Sequence, residues 1–435
     1  MAFSRSARTV SIAAICSLSL AIASASHHVA RAQSAPAIAA PVATNPTVNP
    51  AAPAGAHTVR NVILISIDAL RADMPWNGYA RPIAPNLTEF AHHSVMYTHA
   101  YSLSSYTSQS VGGFLGGRLP SELARDGQFF GRYPRSVVFF PERLHDAGIR
   151  TLGAHAHFYF GPGHAGFEQG FDVWQMIPTR VDYTTSLDVT GDRHEALAEQ
   201  ILTNPANTGG RFFAWFHFMD AHDQYLPHRG ISYGRRLRDL YDAEVTFADQ
   251  QVGALLAFID RQPWANQTAV IITSDHGEVF GEHHVFRHGF ELWQPLVRVP
   301  LMVRLPGVAP RTIDVNRSHL DLAPTVLALM GVTPEPLFRG QSLVDELYGG
   351  QAADRDVMVD LADTGVNHAR RALIHGNSKL LVFDGGARME LFDLQSDPDE
   401  NTSLRRTDTA RFDDMVTRFR AAVAQLHEVA PSGRH

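Results

Sequence analysis

Cysteine is nearly missing from this chain of 435 residues: there is one, Cys16, inside an N-terminal segment that reads as a secretory signal. The mature chain is therefore expected to contain none, which excludes disulfides, a thiolate nucleophile and a Cys-ligated metal. A strong charge of either sign is also missing. The formal net charge of -7 gives no sign of the basic face that a nucleic-acid binder shows, so no nucleic-acid partner is expected. Long apolar runs are absent too. The stretch from Val10 to Ala25, "VSIAAICSLSLAIASA", carries several serines and is shorter than the roughly 20 residues that a membrane-spanning helix needs. Arg5 and Arg8 precede it, and small residues before Ala25 and Ala32 offer cleavage sites. Residues 1–32 are read as a signal peptide, which predicts a periplasmic or secreted protein with no membrane contact after cleavage. Residues 33–57, rich in Ala and Pro with no period, are read as an extended linker.

What remains is apolar enough to bury a large core: hydrophobic residues make up 45% and charged residues 19%. Short β-branched runs recur at 62–67, 148–157, 211–220, 268–277 and 299–305, the pattern of buried parallel strands. Helical patterns lie between them. Leu237, Leu240, Tyr241, Val245, Ala248, Val252, Leu255, Leu256 and Ile259 form one apolar stripe at three- and four-residue steps. "SHLDLAPTVLALMG" reads as another helix, stopped by Gly331. Alternating strands and helices predict an α/β fold with a mixed, mostly parallel sheet flanked by helices. After residue 350 the texture changes to short strands, a "DGG" hairpin signal and an amphipathic helix from Thr409. The expected organisation is a catalytic domain over 58–350 and a smaller α+β subdomain over 351–435. No repeat of fixed period occurs.

Ligands of open α/β sheets bind beyond the carboxyl ends of the strands. Three of the expected strands end in Asp68, in His217 with Asp220, and in Asp275 with His276. An Asp–His pair at a glycine turn can aim both side chains at one ion of intermediate softness, such as Zn²⁺ or Mn²⁺; Asp68 would be the third ligand. Thr107, in "YTSQSVGGFLGG", stands where a helix is expected to start, and a helix start favours anions. A threonine hydroxyl is a weak nucleophile until a metal lowers its pKa. The same threonine could equally be a plain helix cap.

These segments resemble the sulfatase family of the alkaline-phosphatase superfamily. The likeness runs from about Arg60 to about Leu404 and rests on "NVILISIDALRAD", "GRLP", "FHFMDAHDQYLPH", "TSDHGEVFGEHH", "RVPLMVRLPG", "HLDLAPTVLALMGV" and "ELFDLQSDPDENTSL" in family order. It implies an alkaline-phosphatase-like fold and one divalent metal ion (Zn, Mn or Ca) held by Asp68, Asp275 and His276. Ala69 replaces a frequent second aspartate. Counting back from "GRLP" places Thr107 at the nucleophile position, with Gln109 and Val111 where Pro or Ala and Arg are usual. Formylglycine should then be absent, and the threonine would act directly, as in threonine-nucleophile members of the superfamily. The resemblance further assigns His222 and His288 catalytic roles, and His155 and His157 substrate binding. Arg71 is expected to be a structural ion-pair partner. The implied activity is hydrolysis of a small anionic sulfate or phosphate ester. A phosphoethanolamine-type transferase and a non-catalytic binding protein on the same fold are the alternatives.

Overall fold

The computed structural model describes residues 59–178 and 189–432; the expected signal peptide and linker lie outside them. An eight-stranded sheet has the order β4-β3-β5-β1-β6-β7-β2-β8. Its strands are β1 (Asn61–Ile67), β2 (Val95–Tyr101), β3 (Arg150–His155), β4 (Val173–Met176), β5 (Phe212–Phe218), β6 (Thr268–Thr273), β7 (Arg298–Arg304) and β8 (Arg311–Ser318). β4, β3, β5, β1 and β6 are mutually parallel, as are β2 and β8. β7 runs antiparallel to both β6 and β2. The sequence predicts this segment as one more strand of the parallel set. A run buried on both faces shows that a strand is central, but not which way it runs.

The central strands lack polar alternation because both faces are covered. In β1, Val62 and Leu64 join one core cluster while Ile63, Ile65 and Ile67 join the other. In β5, Phe213 and Trp215 face the first, and Phe212, Ala214, Phe216 and Phe218 the second. Helix Leu237–Asp260 covers the second face through Tyr241, Val245, Val252 and Ile259. Helices Thr107–Gly116 and Leu322–Leu329 cover the first through Val111, Phe114, Val326 and Leu327. Gly331 has φ +64°, the left-handed stop expected after the second of these.

The C-terminal antiparallel sheet comprises β9 (Val357–Leu361), β10 (Arg370–His375), β11 (Ser378–Phe383) and β12 (Arg388–Asp393), in the order β12-β11-β10-β9. Helix Thr409–Val423 packs on it through Met415 and Phe419. Lys379, the single lysine of the chain, is fully buried in β11. Its ammonium pairs with Glu400 at 2.7 Å and donates to the Leu292 carbonyl at 2.7 Å. This bond anchors the loop that carries His288 to the small sheet.

Candidate active site

β5, β1 and β6 are neighbours in register, with Ser66 level with His217 on one side and Thr273 on the other. Their carboxyl ends therefore bring Asp68, His217, Asp275 and His276 together, all with no solvent exposure. Helix Thr107–Gly116 starts above them. Thr107 is its first residue, directly after the N-cap Tyr106. Its hydroxyl lies 3.3 Å from Asp68 Oδ2 and 3.2 Å from His276 Nε2. The plain-cap alternative is thus set aside, since the cap position falls on Tyr106.

Each carboxylate in this group has one oxygen spoken for and one free. Asp275 Oδ1 accepts the backbone N–H groups of Ala69 and His276, at 3.3 and 3.0 Å. Asp68 Oδ2 lies near Thr107 and His217. Asp68 Oδ1 and Asp275 Oδ2 are buried without a hydrogen-bond partner. They lie 3.5 and 3.4 Å from His276 Nε2. The tautomer of His276 follows from its other nitrogen, which bonds the Gly277 carbonyl at 2.9 Å; a carbonyl only accepts, so Nδ1 carries the hydrogen and Nε2 keeps its lone pair. Two orphaned carboxylate oxygens and an imidazole lone pair around one hydroxyl are a donor set that fits a divalent cation. Electrostatics agree. Burial and the adjacent Asp68 push the Asp275 carboxyl up. Burial also opposes ionisation of Asp68, but His222, His217 and His276 outweigh it and hold that carboxyl well below the usual range. Each of the two buried acids disfavours the charge of the other.

His217 has a place here that its sequence position only hinted at. Trp215 Nε1 donates to Ser66 Oγ at 2.8 Å, and Ser66 Oγ lies 2.8 Å from His217 Nδ1. Since the indole only donates, the serine is free to give its own hydrogen to Nδ1. The network then assigns the proton of His217 to Nε2, which faces Asp68 Oδ2 at 3.3 Å. A Trp–Ser–His chain thereby fixes the Asp68 carboxylate and turns its other oxygen into the site. His217→Ala should lower affinity for a divalent cation about 10–100-fold, with partial recovery in His217→Gln, read by chelator competition; unchanged affinity in the alanine variant would refute this role.

A second group flanks the first. The His288 ring is 4.5 Å from that of His276 and 4.8 Å from that of His222. Glu278, fully buried, lies 3.2 and 3.3 Å from His288 Nδ1. Burial alone would lower the pKa of His288, but Glu278, with Asp68 and Asp223 behind it, raises it to about 9. His222 Nδ1 is engaged by the Asp223 carbonyl, and the Asp223 carboxylate pairs with Arg287 at 2.9 Å.

The remaining candidates lie differently. His157 sits at the rim, where burial and then His222 push it down to about 4. His155, expected to bind substrate, is fully buried at the end of β3, with ring centroids 5.1 Å from Phe160, 3.9 Å from Trp174 and 4.5 Å from Trp215. Asp220 turns to Thr190 N and Oγ1, both at 3.1 Å. Arg71 pairs with Asp73 and Glu282, as a structural residue would. Gln109 bonds both backbone groups of Ala362, at 2.7 and 2.8 Å, and Val111 is core. The two positions where the helix departs from the familiar pattern thus serve packing.

A mixed sheet of this order, with polar residues converging at the carboxyl ends of its strands and a smaller antiparallel sheet, is the alkaline-phosphatase-like α/β fold. The sequence pattern described as "Sulfatase" matches residues 60–332, and "N-sulphoglucosamine sulphohydrolase, C-terminal" matches residues 281–428. The chain belongs to the sulfatase family, hydrolases acting on sulfate ester bonds. It is 25% identical over 424 residues to the choline-sulfatase of Rhizobium meliloti (strain 1021), covering 79% of this chain and 82% of that protein. The crystal structure of the phosphonate monoester hydrolase of Agrobacterium radiobacter shares its fold with a TM-score of 0.72 at 17% identity, over 84% of this chain and 95% of that one. A structure in complex with its substrate D-glucosamine-2-N,6-O-disulfate superposes with a TM-score of 0.69 at 16% identity, over 87% of this chain and all of that one.

Proposed function

We propose that this sulfatase-family hydrolase is metal-dependent and uses Thr107 itself as the nucleophile, cleaving a small anionic sulfate or phosphate ester. The observation that carries this reading is the gathering of two unpartnered carboxylate oxygens around His276 Nε2, which itself lies 3.2 Å from the Thr107 hydroxyl. Asp68, Asp275 and His276 would hold one divalent cation, Zn²⁺, Mn²⁺ or Ca²⁺, which when bound lowers the pKa of the hydroxyl and offsets charge on the ester oxygens. Threonine leaves no route to formylglycine at this position, so the hydroxyl acts unmodified.

Asp68 Oδ2, 3.3 Å away, orients the Thr107 hydroxyl. The N–H groups at the start of helix Thr107–Gly116 favour the anionic ester head. Thr107 Oγ1, its proton released to solvent, bonds to sulfur or phosphorus as the bond to the alcohol oxygen breaks. His288, protonated and held by Glu278, gives its proton to the departing oxygen, while His222 beside it binds the ester oxygens. Water then attacks the same sulfur or phosphorus and gives a proton to His288, the bond to Thr107 Oγ1 breaks, and Thr107 recovers its proton from solvent. The reading of residues 1–32 as a cleaved signal puts this chemistry in the periplasm or outside the cell. A panel of aryl sulfate, phosphate monoester, phosphate diester and phosphonate ester, assayed on chelator-stripped and metal-reloaded enzyme, tests the proposal. Turnover should return only with metal; full turnover after stripping would contradict it.

The general-acid role fixes a pH dependence. The working form of His288 is protonated, so kcat/KM should hold as pH rises and decline through about 9. Glu278→Gln removes the charge that raises this group. The basic limb should then move down toward the ordinary imidazole range, about 6.5. A limb that stays in place in the variant would assign that titration to another group.

A further inference from the structure

We infer that an aromatic wall beside Thr107 is the subsite for the alcohol half of the ester, and that it selects an aryl-bearing alcohol over a sugar or a short alkyl group. The inference rests on the active-site reading above. Tyr106 immediately precedes Thr107 and is 2% exposed. Phe129 stacks on it, with ring centroids 4.3 Å apart and an interplanar angle of 10°. Phe290 stacks on Phe129 at 6.0 Å, and Phe130 meets Phe129 edge-on at 5.4 Å. Phe130 also reaches the ring of His157, 5.8 Å away. Phe290 is two residues beyond His288. Gly289 between them has φ +95°, and a Cβ there would come 3.0 Å from the Phe129 ring and 3.5 Å from Tyr106 Cβ. Only glycine lets the loop carrying His288 lie so close against Phe129.

The wall starts at Tyr106, the chain neighbour of Thr107, and reaches His157 through Phe130 and the His288 loop through Phe290. Exposure rises from 2% at Tyr106 to 44% at both Phe130 and Phe290. Large aromatic rings left in water at the edge of a catalytic group gain from a partner that covers them. Their chemistry chooses the partner. Phe129, Phe130 and Phe290 carry no donor or acceptor, and His157 Nδ1 is taken by the Tyr159 N–H at 3.2 Å. A sugar laid here could satisfy one hydroxyl through His157 Nε2–H and would lose the hydration of the others. An aryl ring loses nothing and gains stacking.

The test uses full-length, metal-loaded protein and three esters of one acid group: 2-phenylethyl, ethyl and a pyranose. The phenylethyl and ethyl alcohols are comparable leaving groups, so their ratio reads recognition. The wild type should favour the phenylethyl ester over both others about tenfold in kcat/KM, corresponding to about 1.4 kcal/mol. The double variant Phe130→Ala, Phe290→Ala should bring the phenylethyl-to-ethyl ratio toward one. Binding of the same esters to Thr107→Ala, measured by calorimetry, should show the same preference without turnover. Equal binding of phenylethyl and ethyl esters, or tightest binding of the pyranose ester, would overturn the subsite. A retained binding preference with no wild-type turnover would support the subsite and count against the hydrolytic reading alone.

Discussion

Thr107→Ala should lose turnover by on the order of 10⁴-fold or more, the scale seen when a nucleophile is removed, while keeping the fold and most of its affinity for a divalent cation. The structure explains the separation. The Thr107 hydroxyl is directed to Asp68 and His276 of the site, and the N-cap of its helix is Tyr106. The helix is held by Val111, Phe114 and Leu115 in the core and by Gln109 on Ala362. Loss of the Oγ1 atom removes the attacking group and leaves Asp68 Oδ1, Asp275 Oδ2 and His276 Nε2 in place. Thr107→Ser, which retains a hydroxyl, should recover part of the activity. Single-turnover kinetics on metal-loaded protein separates this from weaker substrate binding. An alanine variant with wild-type turnover would remove the nucleophile from the account.

Asp275→Asn has the second large effect, and it is one of opposite signs. The asparagine keeps an acceptor for the N–H groups of Ala69 and His276 but removes a charge from a fully buried pair. Burial and Asp68 push Asp275 up, so in metal-free protein this charge is unfavourable. The metal-free variant should therefore be at least as stable as the metal-free wild type. Added metal should stabilise the wild type through ligand linkage and leave the variant almost unmoved. Thermal unfolding with and without cation, together with metal content after dialysis, reads both halves. Stoichiometric metal in the variant would mean that the ion sits elsewhere.

The sequence made some of this site legible and hid the rest, for physical reasons. β1, β5 and β6 announce themselves because a strand buried on both faces must be apolar throughout, and each ends where a polar residue appears. Helix Leu237–Asp260 is equally plain, since one face is core. The direction of β7 was not legible, because hydrophobicity carries no polarity of chain. β8 (Arg311–Ser318) was missed: it is an edge strand whose first half alternates exposed and buried residues, and its composition gives little to read. Within the site, Asp68, Asp275, His276 and Thr107 could be collected because fold topology sends strand ends to one place. The Trp215–Ser66–His217 chain could not, since it depends on register between β1 and β5. Nor could sequence reveal that His155 is enclosed by three aromatic rings contributed by separate segments. His217 itself was legible as a strand-end residue, one place before the end of an otherwise apolar strand, but its action on Asp68 through Ser66 was not.

The central claim is that Thr107 carries the group removed from the substrate. Rapid-quench mass spectrometry of the metal-loaded enzyme during turnover measures this directly. A transient gain of one sulfuryl or phosphoryl group is expected, mapped to the peptide containing Thr107 and absent from Thr107→Ala. A chain that turns over substrate with no such adduct, or with the adduct on another residue, would contradict it.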